Sequence, residues 1–237
     1  MKISCEKLKT VYGKQTVLQN FSVSFAENSI NTVIGPSGSG KSTLLRMLAA
    51  LEDPQEGKIC YDGKPHQELH PRDIRAKVGM IFQKPTIFEG TVFDNLIFGL
   101  KLRKIEIERE KIREVLNQVD IPEDYLDKRG DELSLGEQQR ICIVRSLLLD
   151  PLVILLDEPV SALDPQRANR VLKLIKSLKT DFNKTVIMVS HNMQDALSVS
   201  DKIFFISQGK ILFEGSPQEV QENGNDVLRK FMAGEYE

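Results

Sequence analysis

One stretch limits what this chain can fold into more than any other: GPSGSGKST, from Gly35 to Thr43. It follows the apolar run INTVI and leads into KSTLLRMLAAL, whose apolar positions recur at helical spacing. A glycine-rich loop between a strand and a helix is the setting of a phosphate-binding loop. Gly35, Gly38 and Gly40 allow the loop through Pro36, Ser37 and Ser39 to curl with the N–H groups of its other residues inward, and the helix start adds partial positive charge. Lys41 is placed to bridge β- and γ-phosphates, and Ser42, beside Thr43, to hold Mg²⁺.

The rest of the chain agrees with an α/β fold. Short apolar segments alternate with helical ones, the pattern of a mostly parallel sheet with helices on its faces. The opening third is strand-rich, with ISCEKLKTVY and VLQNFSVSF ahead of INTVI, and GKICYDG and VGMIFQ return to strand. Composition shifts toward helix between residues 84 and 150. There the spacing of Ile105, Ile112, Val115, Leu116 and Val119 predicts an amphipathic helix over 105–119, and EQQRICIVRSLLL predicts another. VILLD, a helix through ANRVLKLIKSL, TVIMVS, KIFFIS and GKILFEG follow, with a last helix opened by Pro217.

Two further motifs carry chemistry. VILLDEP is an apolar strand ending in two acids. Asp157 is placed to meet the Mg²⁺ shell opposite Ser42, and Glu158 to polarise a water attacking a γ-phosphate. Alone, such a segment is more often a buried strand with an acidic turn; coupled to the phosphate loop it points to hydrolysis. LSLGE then repeats the anion-binding logic at a second helix start, with the Ser134 hydroxyl and the Gly136 N–H. With a helical block holding the two loops apart, the second serves another molecule's nucleotide.

With these motifs the chain resembles the ATP-binding subunits of ABC transporters, over nearly its whole length. Gln83 in IFQKP matches the Q-loop, LSLGE the signature, SALD with Asp164 the D-loop, and His191 in VSHN the switch histidine. Tyr12 in VYGKQTVL matches the aromatic that stacks on adenine. The resemblance implies a P-loop NTPase (RecA-like) core over 1–83 and 151–237, an antiparallel β subdomain near the N-terminus, and an inserted α-helical subdomain over 84–150. It also implies a head-to-tail dimer, a homodimer or a pair of related subunits, with each ATP between one chain's phosphate loop and the other's signature. Gln83 is then expected at Mg²⁺ or the attacking water, and His191 at the γ-phosphate, linking it to Glu158. A groove near Lys84, Pro85 and Phe88 is expected to receive a helix from transmembrane permease subunits. Against the family pattern LSGGQ, Leu135 replaces a glycine and Glu137 the glutamine, and Glu137 brings negative charge toward a phosphate. Val160 stands where threonine is usual.

Net charge of −2, with basic and acidic residues interleaved, argues against nucleic acid as a partner. Cys5, Cys60 and Cys142 are odd in number and widely spaced, as expected of reduced thiols in the cytoplasm. No stretch has the roughly 20 apolar residues of a membrane span, so the expected location is peripheral, on the inner face of the membrane through the permease. Non-transport alternatives are a soluble ABC ATPase on ribosomes or DNA, a P-loop switch or kinase, and a non-hydrolysing binder. For substrate, VGMIFQKPTIFEGTVFDNLIFG resembles phosphate importers first and metal-ion efflux or tolerance subunits second.

Overall fold

The computed structural model describes residues 1–13, 15–223 and 226–233, arranged on two sheets. In the first, β1 (Ile3–Tyr12) pairs antiparallel with β2 (Gln15–Phe25). The chain then crosses to the second sheet as β3 (Ile30–Ile34) and enters α1 (Lys41–Leu48). It returns to the free side of β1 as β4 (Glu56–Tyr61), with β5 (Lys64–Pro65) beyond, both antiparallel. This is the expected antiparallel subdomain, and β3 belongs outside it.

After α2 (Pro71–Lys77) and β6 (Val78–Ile81), the chain runs through α3 (Val92–Arg103), α4 (Arg109–Gln118) and α5 (Leu135–Leu147). Strand and helix then alternate as β7 (Val153–Asp157), α6 (Pro165–Thr180), β8 (Thr185–Ser190), α7 (Met193–Val199) and β9 (Lys202–Ser207). The edge strand β10 (Lys210–Gly215) precedes α8 (Pro217–Asn223) and α9 (Asp226–Met232). The second sheet has the order β10-β9-β3-β8-β7-β6, parallel except at β10.

The central strands are largely apolar because both of their faces are covered. Every residue of β3, β7 and β8 is buried. Side chains alternate across the pleat. Ile154 and Leu156 on β7 pack with Val186 and Met188 into a core shared with α3, α4, α5 and α6. Val153, Leu155, Ile187 and Val189 pack instead against α1 and the antiparallel sheet. The helices between residues 92 and 147 therefore close over one face of the parallel sheet.

One helix differs from its sequence expectation. Lys104 adopts a left-handed φ of 55° and ends α3, while the Ile105 N–H bonds back to the Leu100 carbonyl. This is a helix stop of the left-handed type. The next helix starts only at Arg109, leaving Ile105 45% exposed, while Ile112 and Leu116 are buried as the spacing required. Pro217 opens α8 as expected, with Ser216 and Glu219 closing a reciprocal cap.

The topology collects the motifs. Parallel register sets Ile34 beside Ser190, Asp157 beside Val189, and Ile81 beside Leu156. Gly35, Gln83, Glu158 and His191 thus leave the sheet at the carboxyl ends of four adjacent strands, where open α/β sheets bind ligands.

Candidate functional site

The loop between β3 and α1 is shaped by what its glycines permit. A Cβ at Gly35 would lie 2.0 Å from the Ile206 carbonyl oxygen, and Gly40, at φ 98°, turns the chain into α1 against Val17 and Leu18. Lys41 is 6% exposed, and its Nζ donates to the carbonyls of Gly35 (2.8 Å) and Pro36 (2.9 Å), so the ammonium lies inside the curl. Burial lowers its pKa, and the charges of Glu158 and Asp157 oppose that shift. The Ser39 hydroxyl is buried with no hydrogen-bond partner among the described residues. A buried donor without a partner inside a cationic loop suits an anion that supplies the missing acceptor.

Beside the loop, the Ser42 hydroxyl donates to Asp157 Oδ1 over 2.9 Å. Burial raises the Asp157 pKa, and the Ser42 bond pulls it back. Hydroxyl and carboxylate oxygens in contact, beside a phosphate loop, are the hard donor set that Mg²⁺ prefers. The two residues fit that ion.

Glu158 holds a left-handed φ of 44°, fixed by its N–H bond to the Val189 carbonyl. That conformation is uncommon for a residue with a side chain and is found at functional sites. Glu158 Oε2 lies 3.0 Å from His191 Nδ1 and 3.2 Å from Gln83 Nε2, which also reaches Ser161 Oγ at 3.2 Å. Gln83 and His191 are thus brought together on Glu158. Gln83 was expected at the Mg²⁺ or the water; its hydrogen bonds here go to Glu158 and Ser161. Ser161 lies three residues beyond Glu158, and the sequence reading did not single it out.

At the far end of β1, Tyr12 is 48% exposed and its hydroxyl donates to Glu52, which pairs with Arg46 at 3.4 Å. The bond to Glu52 raises the tyrosine pKa. Glu52 and Arg46 also went unnoticed in the sequence, because they reach Tyr12 from separate elements with no fixed spacing to it.

The LSLGE segment lies apart from this group, at the start of α5. Ser134 caps α5, and Glu137 turns back on it. Glu137 Oε2 accepts the Ser134 N–H (2.8 Å) and the Ser134 hydroxyl (2.7 Å), while Oε1 accepts the Tyr125 hydroxyl (2.6 Å). Burial alone would raise the Glu137 pKa, yet the bonds from Tyr125 and Ser134 overcome it and pull it down to about 2. The spacing S-x-x-E is the sequence signal of a capping box. Gly136 lies under Arg167, and both line a 290 Å³ groove with Ser134, Glu137, Arg140 and Gln166. Asp164 caps α6, accepting the N–H groups of Gln166 and Arg167, which lower its pKa.

On another face, Phe82, Pro85, Phe88, Phe98 and Leu102 line an apolar groove of about 450 Å³ between the sheet and α3 and α5. No helix among the described residues is long and apolar enough to cross a membrane.

A phosphate loop at one strand end, with Asp157 and Glu158 at another and His191 at a third, defines a P-loop nucleotide-hydrolysing protein. Residues 18–161 match the ABC transporter family, and the chain belongs to it as an ATP-binding domain. It is an ATPase whose hydrolysis is coupled to transport. Among curated relatives, it is 35% identical to the phosphate import ATP-binding protein PstB of Thermotoga maritima, over 98% of this chain and 97% of that one. Among solved structures, it resembles cbiO1 of Clostridium perfringens, part of the ABC transporter complex cbiONQ, with a TM-score of 0.85 at 25% identity; the match covers 96% of this chain and 93% of that one. It also resembles the ATP-binding cassette MJ0796, a dimer in a post-hydrolysis state with ADP and Pi, with a TM-score of 0.80 at 27% identity over 91% and 98% of the two chains.

Proposed function

We propose that this chain is the ATP-hydrolysing motor of a phosphate importer, with its membrane-spanning permease on separate chains. Support for the substrate comes from the 35% identity to a phosphate import ATP-binding protein over almost the full length of both. Support for the motor comes from the Glu158–His191 contact at 3.0 Å beside the Ser42–Asp157 pair. On this reading the core spans 1–83 and 151–237, the helical subdomain spans 84–150, and the protein sits at the inner membrane surface through the permease. The apolar groove around Phe82, Phe88 and Phe98 offers the permease a docking site for one of its helices.

Each ATP lies between the phosphate loop of one chain and Ser134 and Gly136 of a second, with adenine on the ring of Tyr12. Lys41 exchanges the carbonyls of Gly35 and Pro36 for β- and γ-phosphate oxygens, and Ser39 gains its missing partner. Ser42 and Asp157 would hold Mg²⁺, which would supply charge neutralisation on the phosphates. Glu158 takes a proton from the water that attacks the γ-phosphorus; the bond to the β-phosphate oxygen breaks, and ADP leaves with its electron pair. His191 and Gln83 orient the carboxylate, and His191 also contacts the γ-phosphate. Asp164 meets the partner chain at the same interface.

Uptake of radiolabelled phosphate tests the substrate, in source cells with the chain deleted and then restored. Loss of uptake on deletion and recovery with the intact chain, but not with the Lys41→Ala chain, supports phosphate import. Unchanged phosphate uptake with loss of another ion's transport contradicts it.

A further inference from the structure

The signature serine is committed to a side chain of its own helix. Ser134 has two donors, a backbone N–H and a hydroxyl, and both end on the same oxygen of Glu137. An ionised carboxylate only accepts, so the single hydroxyl proton of Ser134 must point at Glu137. With that proton committed, the hydroxyl has none left to donate to a phosphate oxygen. The carboxylate is itself fixed, because Tyr125 donates to its other oxygen and Arg140 stands close by. Tyr125 comes from the turn after α4, outside the signature, and ties the latch to the helical block.

From this geometry we infer that Glu137 is a positioning residue that competes with the γ-phosphate for the Ser134 hydroxyl, so that closure of the dimer around ATP must first break the Ser134–Glu137 bond. The inference rests on the composite site proposed above. The departure from glutamine at this position thus acts as a brake on closure. It does so by holding the donor that the phosphate needs, with the carboxylate tied back onto the helix start. A glutamine accepts through a neutral carbonyl oxygen, and hydrogen bonds to a charged acceptor are about twice as strong as neutral ones. Glu137→Gln therefore keeps the cap while loosening its grip on the hydroxyl.

Dimerisation of the Glu158→Gln chain against ATP concentration, followed by analytical ultracentrifugation, tests this. Glu137→Gln in that background is expected to lower the half-saturating ATP about fivefold, the factor that corresponds to a difference of about 1 kcal/mol between charged and neutral hydrogen bonds. Repeating the pair in a Ser134→Ala background separates competition for the hydroxyl from simple charge repulsion. The gain disappears there if Glu137 acts by holding the hydroxyl. A gain of equal size without the hydroxyl, or no gain with it, overturns the latch while leaving the composite site intact. Failure of the Glu158→Gln chain itself to dimerise with ATP overturns the composite site and the latch together.

Discussion

Oε2 of Glu158 lies 3.0 Å from Nδ1 of His191, and the two residues arrive from the ends of neighbouring strands β7 and β8. Glu158 Oε2 also receives Gln83 at 3.2 Å from the end of β6. The carboxylate is therefore held by two side chains and by its own left-handed backbone. Glu158→Gln preserves that shape and removes the base. Turnover is expected to fall by roughly 10²- to 10⁴-fold with ATP affinity retained, measured by phosphate release and by nucleotide binding. Turnover near wild type would take Glu158 out of this role.

His191→Ala removes one of the two side chains that aim Glu158. The expected loss in kcat is on the order of 10²-fold, with little change in KM. An effect confined to KM would make His191 a binding group only.

Tyr12 is held by Glu52, and Glu52 by Arg46. Glu52→Ala frees the ring from its fixed pose, so the KM for ATP is expected to rise about threefold, and Tyr12→Ala to raise it further through loss of stacking. Equal KM values for all three proteins would show that adenine does not rest there.

Glu137 has a folded pKa of about 2, below its ordinary range near 4.5. A depressed carboxylate pKa stabilises the fold at pH values above the ordinary range, and that contribution is lost as pH falls toward 2. Urea unfolding between pH 5 and pH 2 is expected to show a steeper loss of stability in the natural chain than in Glu137→Gln. Parallel curves would contradict the bonding described at Ser134.

Much of this site was legible from chain order alone. A phosphate loop demands a strand before it and a helix after it, and burial on both faces makes β7 and β8 read as unbroken apolar runs, which placed Asp157, Glu158 and His191 at strand ends. What spacing does not encode is contact between elements far apart in sequence. Glu52 under Tyr12 and Tyr125 on Glu137 depend on how the antiparallel sheet and the helical block fold over the core. The stop at Lys104 was hidden for another reason: Ile105 continues the helical period of the next helix although its own backbone has left it.

Mixing two inactive chains tests the central claim most directly, that each nucleotide is shared between the phosphate loop of one copy and the signature of another. Lys41→Ala and Gly136→Asp each remove one half of every site in their own homodimers. In a head-to-tail mixed dimer, one site keeps both an intact Lys41 and an intact Gly136. With random pairing, half of the dimers carry one working site of two, so ATPase activity is expected to return to about a quarter of the natural level. A mixture as inactive as its components would show that each chain completes its own site, and would contradict the account.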